Sequence, residues 1–262
     1  MRIKNIVIVG GGTAGWVTAH QFLNKTSGRV KVTVVASKEI PIIGVGESTT
    51  GRFKDLIELP RKWTNINEHS FLKETGSTFK IGIKHSDWHT KGQSFYSPIG
   101  DTYSNDQLYP SKDYDNFRIY HVANKIDYNK TFQSLLMVNN KVHFGPHGYQ
   151  CNKRFPVAYH LDTYKVGQYF KETAIALKSR CRYVEDTVVG IKQDRKGFVK
   201  GVITKKGKII KGDFFIDCSG FRRVLIKHFC TKFISYADSL LVNRALAFHV
   251  DYKENETIRN YT

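Results

Sequence analysis

The chain has 262 residues, 40% of them hydrophobic and 24% charged, with 41 Lys and Arg against 23 Asp and Glu for a net charge of +18. That is an ordinary globular composition, enough for one large or two modest domains; no apolar run approaches eighteen residues and no signal-peptide pattern occurs, which predicts a soluble, cytoplasmic protein without a membrane span. The basic residues are spread along the chain, from Arg2 to Arg259, without a helix-turn-helix, zinc-finger or RNP pattern, so nucleic acid is set aside and the excess reads as a solvated surface, an attraction for anions, or a face for an acidic partner.

Ile6-Val7-Ile8-Val9 is a short run of β-branched residues followed at once by Gly10-Gly11-Gly12-Thr13-Ala14-Gly15-Trp16. Such a run bounded by glycine predicts a strand buried on both faces, the first of a parallel sheet. Gly10-x-Gly12-x-x-Gly15 then opens a segment with helical spacing (Trp16, Ala19, His20, Phe22, Leu23), which is the dinucleotide-binding fingerprint in its proper context. In that reading Gly10 makes the tight turn, Gly12 lets backbone N–H groups approach a pyrophosphate and Gly15 lets the helix pack close to the strand, with Thr13 and Ala14 at the helix start. The competing reading is a glycine-rich turn where nothing binds. Arg29–Val35 supplies a second strand and completes a β-α-β unit. Its end carries Ala36 and Ser37 where such folds place a ribose-binding acid, and Glu39 falls two or three residues late.

Ile40–Thr50 predicts an apolar loop, since Pro41 bars a helix and Gly44 and Gly46 widen the backbone choices. Helical spacing over 51–76 is interrupted by Pro60, and Thr78–His85 alternates with Phe79, Ile81 and Ile83 on one face and Lys80, Gly82 and Lys84 on the other. Alternation alone favours Lys80 as a solvated strand residue over a catalytic cation in a cavity. Residues 86–156, rich in Tyr, Asn, Asp, Ser and Gly, read as an insertion that shapes a site, with periodicity only at 131–138 and an aromatic cluster at Ser94-Phe95-Tyr96. After Pro156–Asp162, a long helix carries Val166, Tyr169, Phe170, Ala174 and Leu177 on one stripe. Three strands at 187–193, 198–204 and 208–217, separated by Asp194–Gly197 and Lys205–Gly207, predict a β-meander. The third ends in Asp217-Cys218-Ser219-Gly220, a second place where backbone can approach a cofactor; Asp217 either binds a sugar or holds the loop. Cys151, Cys181, Cys218 and Cys230 lack CxxC spacing, so no zinc site or disulfide framework is expected and the thiols are read as free and buried. Two glycine turns flanking a meander point to an α/β fold of the FAD-binding two-dinucleotide, glutathione-reductase-like type, with FAD extended over the end of a parallel sheet.

The assembled motifs resemble the flavin-dependent halogenases of the tryptophan type. The likeness rests on Gly10–Trp16 (GGGTAGW), Ile40–Thr49 (IPIIGVGEST), Phe79–Trp88 (FKIGIKHSDW), Ala158–Asp162 (AYHLD) and Asp217–Arg222 (DCSGFR), and it runs through nearly the whole chain. It implies that reduced FAD, supplied by a separate flavin reductase, oxidises halide with oxygen to hypohalous acid, which a lysine guides to an electron-rich aromatic substrate. Lys80 matches that lysine in FKxxxK, with Lys84 as its rival. The resemblance also implies that Gly10, Gly12, Thr13, Ala14, Gly15, Ser37, Val188, Asp217 and Gly220 contact FAD. Gly44, Val45, Gly46, Glu47 and Ser48 would form the strap along its isoalloxazine, a flexible loop coupling two compartments.

Departures from the pattern sharpen these expectations. The family's substrate-side His-Pro-Phe-Gly is Ser97-Pro98-Ile99-Gly100 here, which removes an indole-stacking wall and argues against free tryptophan in its usual pose. The chain is about half the family's usual length and carries no Trp-x-Trp-x-Ile-Pro signature. The expectation is therefore an N-terminal half, a piece of a split or truncated enzyme, with an FAD-binding domain at 1–85 and 156–230 and a partial substrate-side region at 86–155 and 231–262. A second polypeptide supplying the other half is one expected partner. Two rival readings remain: a flavin monooxygenase that does not halogenate, and a non-catalytic remnant binding FAD or a partner.

Overall fold

The computed structural model describes residues 2–26, 28–42, 44, 48–51, 53–57, 66–88, 90–99, 132–142, 157–230, 232–246, 248 and 250–262. Along the chain run β1 (Asn5–Val9), α1 (Thr13–Lys25), β2 (Lys31–Ala36), α2 (Phe53–Ile57) and α3 (Glu68–Thr75). They are followed by β3 (Thr78–Lys80), β4 (Gly82–Ser86), β5 (Ser94–Pro98), α4 (Phe132–Val138) and β6 (Ala158–His160). Then come α5 (Thr163–Ile175), β7 (Cys181–Glu185), β8 (Val188–Gln193), β9 (Val199–Thr204), β10 (Ile209–Lys211) and β11 (Phe214–Asp217). No helix of the described residues is long and apolar enough to cross a membrane. The chain divides into two compact units: Met1–Val45, Leu59–Ile66 and Thr163–Asp251 form one, and Gly46–Glu58, Asn67–Asp162 and Tyr252–Thr262 the other.

The first unit is built on a four-stranded parallel sheet in the order β11-β1-β2-β7. Its central strand is Ile6–Val9, and all four side chains are buried, as a strand covered on both faces requires. Val7, Val9 and Val35 pack against Val188, Val202 and Ile210 of a three-stranded antiparallel meander in the order β10-β9-β8. Alternation turns Ile6, Ile8 and Val34 to the opposite face, the side of α1. Trp16, Ala19, His20 and Leu23, at helical spacing, are the buried stripe of α1, and Val166, Tyr169, Phe170 and Ala174 that of α5. The α/β fold with a parallel sheet and a meander is thus the one expected.

One expected strand is two. The run 208–217 leaves the meander after Lys211 and re-enters the parallel sheet at Phe214, beside β1. Asp213 drives the change: its Oδ2 accepts the N–H groups of Lys4 and Asn5 at 2.9 and 2.8 Å. Gly212 permits it, because a Cβ there would lie 2.7 Å from Val7 Cγ2.

The second unit has an aromatic core of Phe71 and Tyr159, 5.7 Å apart, with Phe53 and Phe79 packed on it at ring distances of 5.9 to 6.2 Å. The Tyr159 hydroxyl donates to Glu68. Asn67 caps α3 by accepting the Ser70 N–H at 2.8 Å, and Gly76 ends it with φ +66°. The alternating run 78–85 also proves to be two strands. β3 pairs with β6, whereas β4 pairs with β5. Ile81 breaks the run because its N–H goes to Asn260 O at 2.7 Å and its C=O accepts the Ile99 N–H at 2.8 Å. The aromatic cluster Ser94-Phe95-Tyr96 lies in β5; residues 100–131 and 143–156 of the expected insertion lie outside the described residues.

Candidate functional site

Register places the two glycine turns side by side. Val9 pairs with Asp217 at the carboxyl ends of β1 and β11, so the Gly10 turn and the Asp217–Gly220 loop leave neighbouring parallel strands together. That is the end of an open α/β sheet where ligands sit. Gly10 has φ +115°, and a Cβ on it would lie 2.2 Å from Cys218 O; a Cβ on Gly15 would lie 2.0 Å from Gly10 O. The protein's own packing therefore explains both glycines. It does not explain Gly12, whose Cβ would meet nothing nearer among the described residues than Ile42 Cγ2 at 4.0 Å. Gly12 is the N-cap of α1, makes no side-chain cap, and is followed by a first turn without acids. Thr13 and Ala14 open that turn, so free N–H groups and partial positive charge face an open cradle that fits a pyrophosphate.

The neighbouring corner is plainer. Ala36 packs its methyl where a Cβ on Gly11 would be 2.5 Å away. Its carbonyl accepts from the Tyr183 hydroxyl at 3.3 Å and the Asp186 N–H at 3.1 Å. Glu39 and Glu185 are held by Lys205 and Lys38 at 3.7 and 2.8 Å, so neither acid is committed to a sugar. Ser37 Oγ accepts the Glu39 N–H. Gly44 is pressed on α5: a Cβ would lie 2.7 Å from Tyr164 Cε2, and the Tyr164 hydroxyl donates to Ile42 O at 3.1 Å. Val45, Gly46 and Glu47 lie outside the described residues. Val188 belongs to the buried cluster under the sheet, and Gly220 has φ +61° with open space around it.

Asp217 holds its loop. Oδ1 accepts the Ser219 N–H and hydroxyl, and Oδ2 accepts the Leu225 and Ile226 N–H groups at 2.7 and 3.0 Å. Burial works to raise its pKa, yet these hydrogen bonds hold it below the usual carboxylate range.

A second constellation lies in the other unit. Lys80 is only 4% exposed, and its Nζ donates to Ser48 Oγ at 3.0 Å. The solvated reading of Lys80 is thereby corrected: alternation does turn Lys80 away from Phe79, but pairing with β6 covers that face, so the side chain is buried. Burial pushes its ammonium pKa down. Lys84 does not share that face, because it belongs to the β4–β5 ribbon, where Nζ stands 6.0 Å from the Tyr96 ring centroid. Ser97 and Pro98 pair with Ile83 and Gly82, and Ile99 bonds to Ile81, so the segment expected at the substrate runs beside the residues that follow Lys80. His160, Ala158 and Ser48 surround Lys80 in the ladder, and their grouping was invisible from sequence; the signal would have been the pairing of β3 with β6, which local pattern cannot supply. The thiols are mixed rather than uniformly buried: Cys181 is buried, Cys218 intermediate and Cys230 exposed, with Cys151 outside the described residues. A cavity of about 410 Å³ ringed by Lys31, Lys178, Arg180, Arg182 and Lys211 opens at the amino ends of β2 and β7, the opposite end of the sheet from the two glycine turns.

Comparison with known proteins follows the same lines. The model of the family described as tryptophan halogenase matches residues 5–262. The tryptophan 6-halogenase of Streptomyces albogriseolus is 31% identical over 281 residues, covering 100% of this chain and 51% of its own. The crystal structure of a tryptophan 6-halogenase from Streptomyces toxytricini superposes with a TM-score of 0.70 at 30% identity, over 86% of this chain and 43% of that one. A tryptophan C-6 flavin-dependent halogenase from taromycin biosynthesis gives 0.76 at 29% identity, over 90% and 47%. The chain spans about half the length of the curated relatives it matches.

Proposed function

The chain belongs to the tryptophan halogenase family, and from that premise we propose that it serves FAD-dependent halogenation of an electron-rich aromatic compound, with Lys80 guiding the electrophile. The observation that carries the proposal is the placement of Lys80. A structural lysine normally carries its ammonium to water, whereas this one is buried beside a hydroxyl.

Gly10, Gly12, Thr13, Ala14 and Gly15 hold the FAD pyrophosphate at the α1 N-terminus, while Ser37, Val188, Asp217 and Gly220 shape the turns and core around it. Gly44–Ser48 serve as the strap. FAD, arriving reduced from a separate flavin reductase, supplies the oxidation of halide by oxygen to hypohalous acid. Lys80 donates a hydrogen bond to the oxygen of that acid and polarises the oxygen–halogen bond. As the aromatic carbon bonds the halogen, the oxygen–halogen bond breaks, and the departing hydroxide takes the Lys80 proton and leaves as water. The ring then loses its proton, which returns to the Lys80 amine. A lowered ammonium pKa suits this cycle, since it eases release of the proton to the departing hydroxide. Ser97, Pro98 and Ile99 line the approach; a hydroxyl and an aliphatic side chain there favour an aromatic other than free tryptophan in a stacked pose. The remaining half of the family's length, on the same polypeptide or a second one, completes the site.

The test is incubation of the protein with flavin reductase, NADH, FAD, chloride or bromide and a set of indoles and phenols, read by the isotope pattern of the products. Halogenated arene is expected. Oxygenated but unhalogenated product would favour a monooxygenase, and folded protein that retains no FAD would remove both enzymatic readings.

A further inference from the structure

His160 belongs to the Ala158–Asp162 motif, to which no role has yet been attached. β6 is the middle of a three-stranded arrangement: Ser48 bridges His160 on one side, and Thr78 pairs with His160 on the other. Residues directly opposite in a ladder share a face, as do residues two apart on one strand. Ser48, Thr78, Lys80, Ala158 and His160 therefore share one face. Thr49, Phe79 and Tyr159 take the other, where the aromatic core lies.

Lys80 stands opposite Ala158. The small Ala158 side chain leaves room for the lysine to cross β6 and reach Ser48 Oγ at 3.0 Å. His160 is the diagonal neighbour of Lys80, a spacing of about 7–8 Å that long side chains bridge. Its Nε2 lies 3.1 Å from Thr262 Oγ1. Burial, and then the charge on Lys80, hold its imidazole below the ordinary range. Among the described residues, Lys80 is the charged side chain that acts on it; Ser48 and Thr78 stand opposite it in the ladder, and Thr262 offers its hydroxyl.

We propose that Lys80 and His160 form a charge-coupled pair on this face: the Lys80 ammonium disfavours a proton on His160, and a positive charge placed at position 160 in turn loosens the hold of Lys80 on its own proton. Two cations on one partly covered face repel, so a proton gained by either weakens the hold of the other on its own. A neutral imidazole leaves Lys80 protonated and able to donate; an added charge at position 160 drives Lys80 toward the free amine. This rests on reading Lys80 as the halogenating lysine only for its consequence in turnover; the pairing is a property of the chain itself.

The test uses that independence. The C2 proton of His160, assigned from its loss in His160→Gln, is titrated by NMR in the wild-type chain and in Lys80→Met. The neutral variant is expected to move the His160 titration upward toward that of an ordinary imidazole, with the dispersion of the spectrum preserved. In parallel, acylation of Lys80 by a dilute amine reagent at pH 8 is followed by peptide mass. His160→Arg is expected to raise the Lys80 rate several-fold, and His160→Gln to leave it near wild type. An unmoved His160 titration in Lys80→Met, or equal rates in the Arg and Gln variants, overturns the pairing. Both readouts omit flavin and halide, so the absence of halogenation would leave this result standing on its own.

Discussion

At the scale of single residues, the account turns on a lysine whose burial costs stability. Among the described residues its hydrogen-bond acceptor is Ser48, a neutral hydroxyl that does not offset the charge fully. Lys80→Met keeps the length of the side chain and removes the charge. It should leave stability unchanged or raise it by up to about 2 kcal/mol in chemical denaturation, as expected of a residue retained for function. A loss of several kcal/mol would make Lys80 structural. His20 behaves differently. It is buried between Asn24 and Phe170, and burial lowers its pKa from 6.5 to about 4. The unfolded chain therefore binds a proton that the folded chain refuses between those values. Stability falls as pH drops through that window, by about 3 kcal/mol from this group. His20→Gln should flatten that part of the pH profile; an unaltered slope would show that His20 is not its source. Thiol chemistry offers a third check. Cys181 is buried with its pKa pushed up to about 11, whereas Cys230 is exposed. Native protein at pH 8 should label at Cys230 and spare Cys181 until unfolded, and early labelling of Cys181 would contradict the placement of β7 in the sheet.

At the scale of elements, the glycine turn separates folding from binding. Gly10 and Gly15 are demanded by backbone contacts, so Gly10→Ala and Gly15→Ala should each destabilise by about 2 kcal/mol or more. Gly12→Ala meets open space among the described residues and should keep stability within about 0.5 kcal/mol while weakening FAD binding in a fluorescence titration. Equal losses of stability in all three would remove the distinction. Much of this element was legible before the structure, because a buried strand, a turn and a helix follow one another locally and each leaves its own period. The Val9–Asp217 neighbourhood was less so, since parallel pairing joins segments far apart in sequence. The split strands were illegible for a related reason. Period two continues through Ile81 and through Gly212, and only the distant partners, Asn260 for one and the Lys4 and Asn5 N–H groups for the other, force the breaks. Lys80 shows the same limit: alternation assigned it to solvent, and β6 pairing overrules that assignment.

At the scale of the whole molecule, a net charge of +18 is carried by scattered residues, consistent with attraction of anionic cofactors toward a broadly positive surface. A second property is less evenly spread. Phe233, Ile234, Leu241, Val242, Leu246 and Phe248 are all largely exposed along one stretch. Apolar surface on this scale marks an interaction face. The chain on its own should bind a hydrophobic dye and associate with rising concentration in sedimentation; a monodisperse, dye-silent monomer would refute that. The central claim concerns chemistry, and one comparison addresses it directly. Wild type and Lys80→Met, each given reduced FAD, oxygen, bromide and an indole, are followed at once for flavin reoxidation and for brominated product. Reoxidation at an undiminished rate with product lost in Lys80→Met is the predicted result. Product formed equally by both proteins would contradict the role of Lys80 in guiding the halogen.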